Sequence, residues 1–129
     1  MVISLKLDSD TPLYEQLRNQ IVIGIATGKL LPQEKLPTVR QLAEDLGINT
    51  MTVNKAYALL KQEGYIVIDR RHGAKVNWQP ADLTDSTEHT AKLEQKLELI
   101  IAEAVIHGID NEHFHKLCEQ TYEKMNDYH

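Results

Sequence analysis

Three residues, Gly47, Ile48 and Asn49, separate two stretches of helical apolar spacing, and this short turn constrains the fold more than any other feature. In residues 39–46 the apolar side chains line one helical face, and in residues 53–60 they recur at i, i+3, i+4 and i+7. Two amphipathic helices joined by so short a turn have the spacing of a helix-turn-helix. The chain is therefore predicted to carry this motif near its centre.

Capping residues mark the ends of both helices. Thr38 followed by Gln41 predicts a capping box at the start of the first helix, and Gly47 is typical of its end. Asn49 is a favourable cap for the second helix, and Gly64 predicts where that helix stops. The two helices therefore have predicted ends as well as predicted faces.

Another helix is predicted upstream, with Thr11 as its N-cap and Pro12 as its first residue, because proline lacks only an N–H that is unpaired there anyway. Its apolar residues recur every four positions, at Leu13, Leu17, Ile21 and Ile25. Residues 2–7 alternate weakly and predict either a short strand or an extended arm.

After Gly64 the apolar period changes from helical to two. Residues 65–69 are rich in β-branched and aromatic side chains and predict a strand, residues 70–73 predict a turn, and residues 75–78 predict the returning strand. A helix-turn-helix followed directly by a hairpin is a winged helix. The predicted fold is thus mostly α with a small β-hairpin wing.

Charge divides the chain into two parts. Residues 1–78 hold ten Lys or Arg and eight Asp or Glu, whereas residues 79–129 hold four and eleven, so the net charge changes from +2 to −7. Such an asymmetry predicts two segments with different tasks. We expect a winged-helix domain over residues 1–78 and a helical tail over residues 79–129, divided near Gln79.

Two helices are predicted in the tail, the first over residues 90–107 and the second capped by Asp110. Each helix carries an apolar stripe that needs a partner, and two such helices are too small for a core of their own. These stripes predict a homodimer interface formed by Leu93, Leu97, Ile100, Ala104, Phe114, Leu117, Thr121 and Met125.

Three segments carry a resemblance to a known family: Leu-Pro-Thr-Val-Arg-Gln-Leu-Ala at 36–43, Leu-Gly-Ile-Asn-Thr-Met-Thr-Val-Asn-Lys-Ala-Tyr at 46–57, and Glu-Gly-Tyr-Ile at 63–66. Together with Pro-Leu-Tyr-Glu-Gln-Leu at 12–17, they resemble the DNA-binding domain of the GntR family of bacterial transcription regulators. The end of the second segment is most similar to the YtrA-type branch. In that branch a short two-helix tail serves for dimerisation, which implies the same for residues 79–129.

The resemblance implies that Arg40 reaches into the major groove, where an arginine fork binds guanine or clamps a phosphate. An ion pair with Glu44, one helical turn further on, is the alternative for this side chain. The helix after the turn becomes the recognition helix, and its outward residues are predicted to contact DNA: Thr50, Met51, Thr52, Asn54 and Lys55. The alternative role for the two threonines is helix capping, and the alternative for Lys55 is a charge that is simply exposed to solvent.

The predicted wing is the densest basic site of the chain. The resemblance implies that this wing enters the minor groove with His72 and Gly73 at its tip, where basic side chains are attracted and glycine permits a close backbone approach. The wing residues predicted to contact DNA are Arg70, Arg71, His72, Gly73 and Lys75. An ordinary solvated hairpin is the alternative reading of the same residues.

These observations predict a sequence-specific DNA-binding transcription regulator, a repressor that binds a palindromic operator in double-stranded DNA as a homodimer. One cysteine is typical of a reducing cytoplasm, and no apolar run approaches the roughly 20 residues that span a membrane. The sequence has no catalytic motif, so neither enzyme activity nor a cofactor or metal is expected. A small-molecule effector stays an open question.

The alternative function is a winged-helix adaptor that binds another protein. The net charge of −5 favours the adaptor, because an acidic chain repels phosphate. The basic wing and Arg40 count against it.

Overall fold

The structure, a computed structural model, describes residues 2–71, 73–77 and 87–126. These residues form five helices and one antiparallel hairpin, in the order α1 (Leu13–Ala26), α2 (Val39–Leu46), α3 (Thr50–Gln62), β1 (Ile66–Asp69), β2 (Gly73–Val76), α4 (Thr87–Ile106) and α5 (Asn111–Asn126). The described residues up to 77 belong to one compact unit, and residues 87–126 belong to another. The predicted boundary between 78 and 79 lies outside the described residues.

The core of the first unit lies where α1 and α2 pack against α3 and where the hairpin covers the end of α3. Its largest fully buried side chains come from α1, α3, the hairpin and the loop after α1: Leu17, Ile21, Leu30, Val53, Leu60, Ile66 and Val76. Burial of such a side chain contributes about 1.5–3 kcal/mol, so this cluster dominates the stability of the unit. The predicted winged helix-turn-helix is confirmed.

Local hydrogen bonds set the turn between α2 and α3. The Asn49 side chain accepts a 2.8 Å hydrogen bond from the amide of Met51, and Gly47 ends α2 at a φ of +67°, in the left-handed region that favours glycine. At the start of α2 the predicted capping box is only half formed. The Thr38 hydroxyl accepts the Gln41 amide at 3.1 Å, but the Gln41 side chain donates to Asp45 instead of reaching back.

Several predicted boundaries were wrong by a few residues. The cap of α1 is Pro12 and not Thr11, because Pro12 has extended backbone angles and its carbonyl accepts the first helical bond, from Gln16 at 3.0 Å. Helix α4 begins three residues before the predicted start at 90. Strand β2 begins at Gly73, two residues earlier than predicted, because pairing with Asp69 extends the ladder to the turn.

The N-terminal residues form an extended arm on α1, which decides between the two predictions for this segment. The amide group of Gln16 binds the backbone N–H and carbonyl of Lys6, and Gln20 binds those of Ser4 in the same way. Two glutamines one helical turn apart therefore take the place of a partner strand. Ile3 and Leu5 in the arm are partly buried and pack against the core.

The second unit has almost no core of its own. In the described part of α4 and α5, Ala104 alone is buried, and the remaining apolar side chains are half-buried or exposed. Asp110 caps α5 as predicted, since its carboxylate accepts the His113 amide at 2.8 Å. Among the described residues no helix combines the length and apolar character needed to cross a membrane.

Candidate nucleic-acid interface

Helix α3 separates its buried face cleanly from a polar one. The inward side chains are those predicted from the spacing: Val53, Ala56, Tyr57 and Leu60. Thr50, Met51 and Asn54 are exposed in the first turns, and Thr52 is half-buried. Met51 stands out, because 74% of this large apolar side chain is exposed. The residues of α3 that were predicted to contact DNA thus lie on its outward surface, in the first turns of the helix.

Arg40 lies near the N-terminus of α2 with its side chain exposed. The alternative ion pair with Glu44 is not formed, since among the described residues the ion pairs are Arg18 with Glu63 and Lys92 with Glu88. The Arg40 fork is therefore available to a ligand. Arg18 is not available, because Glu63 binds it through two hydrogen bonds of 2.9 and 2.8 Å. Those bonds raise the pKa of the Arg18 guanidinium above its usual value.

Lys55 is held by an aromatic ring. Its Nζ lies 4.0 Å from the centroid of the Tyr14 ring, which belongs to the first turn of α1. A cation over a ring face at this distance is attracted by the quadrupole of the ring. Lys55 is therefore a positioned charge on the recognition helix. The sequence analysis did not predict a role for Tyr14 in positioning Lys55, because the two residues are far apart in the sequence and meet only when α1 packs on α3.

The turn of the wing exposes two arginines, Arg70 and Arg71. The carboxylate of Asp69 accepts the Arg71 amide at 2.9 Å, which stabilises the turn. Gly73 has a φ of +75°, so it supplies the conformation that the predicted tip requires. His72, also predicted to contact DNA, lies outside the described residues.

The structure adds one cation that the sequence analysis did not single out. Lys35 pairs with Lys75 in an antiparallel bridge, so residues 34–36 continue the wing sheet beyond β2. Both lysines are exposed. No local signal predicts this pair, because its members are far apart in the sequence.

The predicted tail residues mostly converge on one groove between α4 and α5. The groove has a volume of about 390 Å³, and its lining includes Leu97, Ile100, Phe114, Leu117, Thr121 and Met125. Cys118 and Tyr122 complete the lining. Ala104 lies in a neighbouring recess, whereas Leu93 is exposed and does not line the groove. The described residues contain no cluster of metal-ligating side chains.

The sequence pattern of "Bacterial regulatory proteins, gntR family" matches residues 13–76, from the start of α1 to the end of β2. The HTH-type transcriptional repressor YtrA of Bacillus subtilis is 32% identical over 112 residues, which cover 87% of this chain and 85% of that protein. The chain belongs to the GntR family. It is a winged-helix, DNA-binding transcription regulator and not an enzyme, as the sequence predicted.

Several solved structures have a similar architecture. YtrA from Sulfolobus acidocaldarius, a GntR-family transcription factor, is 37% identical with a TM-score of 0.65, covering 82% of this chain and 99% of that one. A transcriptional antiterminator from Listeria monocytogenes is 28% identical with a TM-score of 0.88, covering 97% and 92%. The DNA-binding domain of AraR, solved in complex with operator ORX1, is 26% identical with a TM-score of 0.52, covering 59% and 95%.

Proposed function

We propose that this GntR-family regulator is a repressor that binds a palindromic operator as a homodimer, with α3 in the major groove and the wing in the minor groove. The observation that carries the proposal is the outward surface at the start of α3, where Met51 and Asn54 are exposed, together with the exposed Arg40 near the start of α2. Asn54 offers an amide that pairs with an adenine edge, and Met51 offers an apolar contact for a thymine methyl.

The charges of the first unit fit contact with the DNA backbone. Lys55 is oriented on Tyr14, and Arg70 and Arg71 project from the wing turn. Phosphate contacts of this kind fix the protein on the duplex, while base contacts carry the specificity. The DNA-binding domain of AraR, which is similar in structure, is in complex with an operator, and this supports operator binding here.

The tail supports the homodimer. Its groove is apolar and open, and a second copy of the tail offers the matching apolar helices. Pairing would bury Ile100, Leu117 and Phe114 and would give each tail the core that it lacks alone. A two-fold axis through the tails would present two recognition helices to half-sites about one helical turn apart. Repression is supported by the name of the relative YtrA, and bound protein would act by blocking promoter access.

Duplex binding is tested by fluorescence anisotropy on the DNA upstream of the chain's own coding sequence, with sedimentation to establish the oligomeric state. We expect a dimer whose affinity falls steeply with salt, by about 0.9 in the slope of log K against log salt for each neutralised phosphate. A folded dimer that binds no promoter DNA at roughly 50 mM salt would contradict DNA regulation and would favour the adaptor. A monomer that binds the operator fully would contradict the role of the tail.

A further inference from the structure

Residues 34–36 run alongside β2 at the base of the wing and are joined to it by an isolated antiparallel bridge between Lys35 and Lys75. The Leu36 amide donates to the Ala74 carbonyl, and the Val76 amide donates to the Glu34 carbonyl, both at 2.8 Å. Between these two bonds, Lys35 and Lys75 lie directly opposite each other and form no backbone hydrogen bond to each other. This is the narrower of the two antiparallel pair types, in which the side chains stand closer together.

Two like charges in such a pair oppose folding. Directly opposite residues share a face of the sheet, and like charges there are destabilising. Leu36, Ala74 and Val76 turn to the core, so both lysines turn to solvent. In the described part of the chain neither lysine forms an ion pair with a carboxylate. The repulsion between the two lysines is therefore not offset by an ion pair within the described residues.

The position of the Lys35–Lys75 pair indicates which ligand offsets the repulsion between the two ammonium groups. Lys75 lies two residues after Gly73 in the wing, and Lys35 lies five residues before Arg40. The pair therefore joins the wing turn to the start of α2, two regions that the proposed function assigns to DNA. A backbone phosphate between two ammonium groups removes their repulsion and replaces it with two attractions.

We propose that Lys35 and Lys75 together form a clamp for one phosphate of the DNA backbone, and that Lys35 is a DNA-contacting residue of this regulator. The proposal rests on the proposed function, since it names a further contact of the same interface. The clamp positions the duplex and reads no base, so it acts equally on every DNA sequence.

The test compares Lys35→Gln, Lys75→Gln and Lys35→Glu with wild type in the full chain, by thermal unfolding and by salt titration of DNA binding. The matched control is Lys61→Gln, an exposed lysine in the last turn of α3, at the opposite end of that helix from the predicted DNA contacts. We expect all three clamp variants to melt at a higher temperature and to bind operator and random DNA severalfold more weakly. Lys35→Glu should have the largest effect on both, because it turns repulsion into attraction within the sheet and repels the phosphate.

Opposite signs for stability and affinity are the diagnostic result, since loss of a merely structural residue lowers both. The Lys35→Gln/Lys75→Gln double variant should reduce the salt slope by about 0.9, the contribution of one phosphate. If wild type binds DNA but Lys35→Gln keeps its affinity and salt slope, the clamp is wrong and the proposed function stands. If wild type itself binds no DNA, both proposals are wrong.

Discussion

The hydroxyl of Tyr57 on the recognition helix donates a 2.8 Å hydrogen bond to the backbone carbonyl of Pro37, the residue before the cap of α2. Only 3% of Tyr57 is exposed, and burial raises the pKa of its phenol well above the usual value. The group therefore remains a donor at any physiological pH. This bond sets the start of α2, and with it Arg40, relative to α3.

We predict that Tyr57→Phe keeps the fold but loses about 1 kcal/mol of stability, because the half-buried Pro37 carbonyl loses its donor. Discrimination between the operator and random DNA should also decrease, since Arg40 is less firmly positioned. Thermal unfolding and competition binding measure the two effects. The matched control is Tyr65→Phe, which removes a hydroxyl from a half-buried tyrosine that contacts Arg18 through its ring. Equal losses in both variants would contradict a positioning role for Tyr57.

The ring of Tyr14 should matter for DNA binding only through Lys55. Tyr14→Leu removes the ring face and is expected to weaken DNA binding by about 0.5–1 kcal/mol, whereas Tyr14→Phe keeps the ring and should bind like wild type. The decisive measurement is a double-mutant cycle with Lys55→Gln, in which the effect of Tyr14→Leu should disappear. A Tyr14→Leu loss that persists without Lys55 would show that the tyrosine acts through the packing of α1.

Arg40→Ala and Arg71→Ala should affect DNA binding differently: the first should reduce specificity for the operator, and the second should reduce affinity for all sequences. Arg40 is predicted to read a base or set the register, so its loss should cost about 1–3 kcal/mol on the operator and little on random DNA. Arg71 lies at the wing turn and should weaken binding to all sequences evenly. Competition assays with single-base operator variants distinguish the two. If Arg40→Ala weakens every sequence equally, Arg40 is a phosphate contact only.

The tail offers a sharp test of dimerisation in two adjacent residues. Ile100 lines the groove between α4 and α5, while Leu99 points about 100° away around the helix and is 64% exposed. Ile100→Asp should yield monomers with weak, unselective DNA binding, because it buries a charge in the proposed interface. Leu99→Asp should remain a dimer in sedimentation. Dimers for both variants would mean that the groove is not the interface.

Short-range patterns in the sequence sufficed for most of the fold. The spacing of Val53 to Leu60, the cap at Asn49 and the stop at Gly47 involve neighbours within a helical turn, so each could be inferred from local rules. The change to period two after Gly64 likewise predicted the wing. The same rules identified which face of α3 is outward, and the resemblance to the GntR family then implied DNA contacts for Met51 and Asn54 on that face.

Only the tertiary structure decided which distant residues meet. Lys35 meets Lys75, Tyr14 meets Lys55, and the arm is bound by two glutamines of α1, although no local signal connects these positions. The reason is physical: periodicity and caps depend on residues one turn apart, whereas these contacts depend on how α1 packs on α3 and how the loop before α2 joins the wing sheet. The sequence by itself therefore determined the elements and their faces, and packing decided which charges are paired, positioned or left to bind DNA.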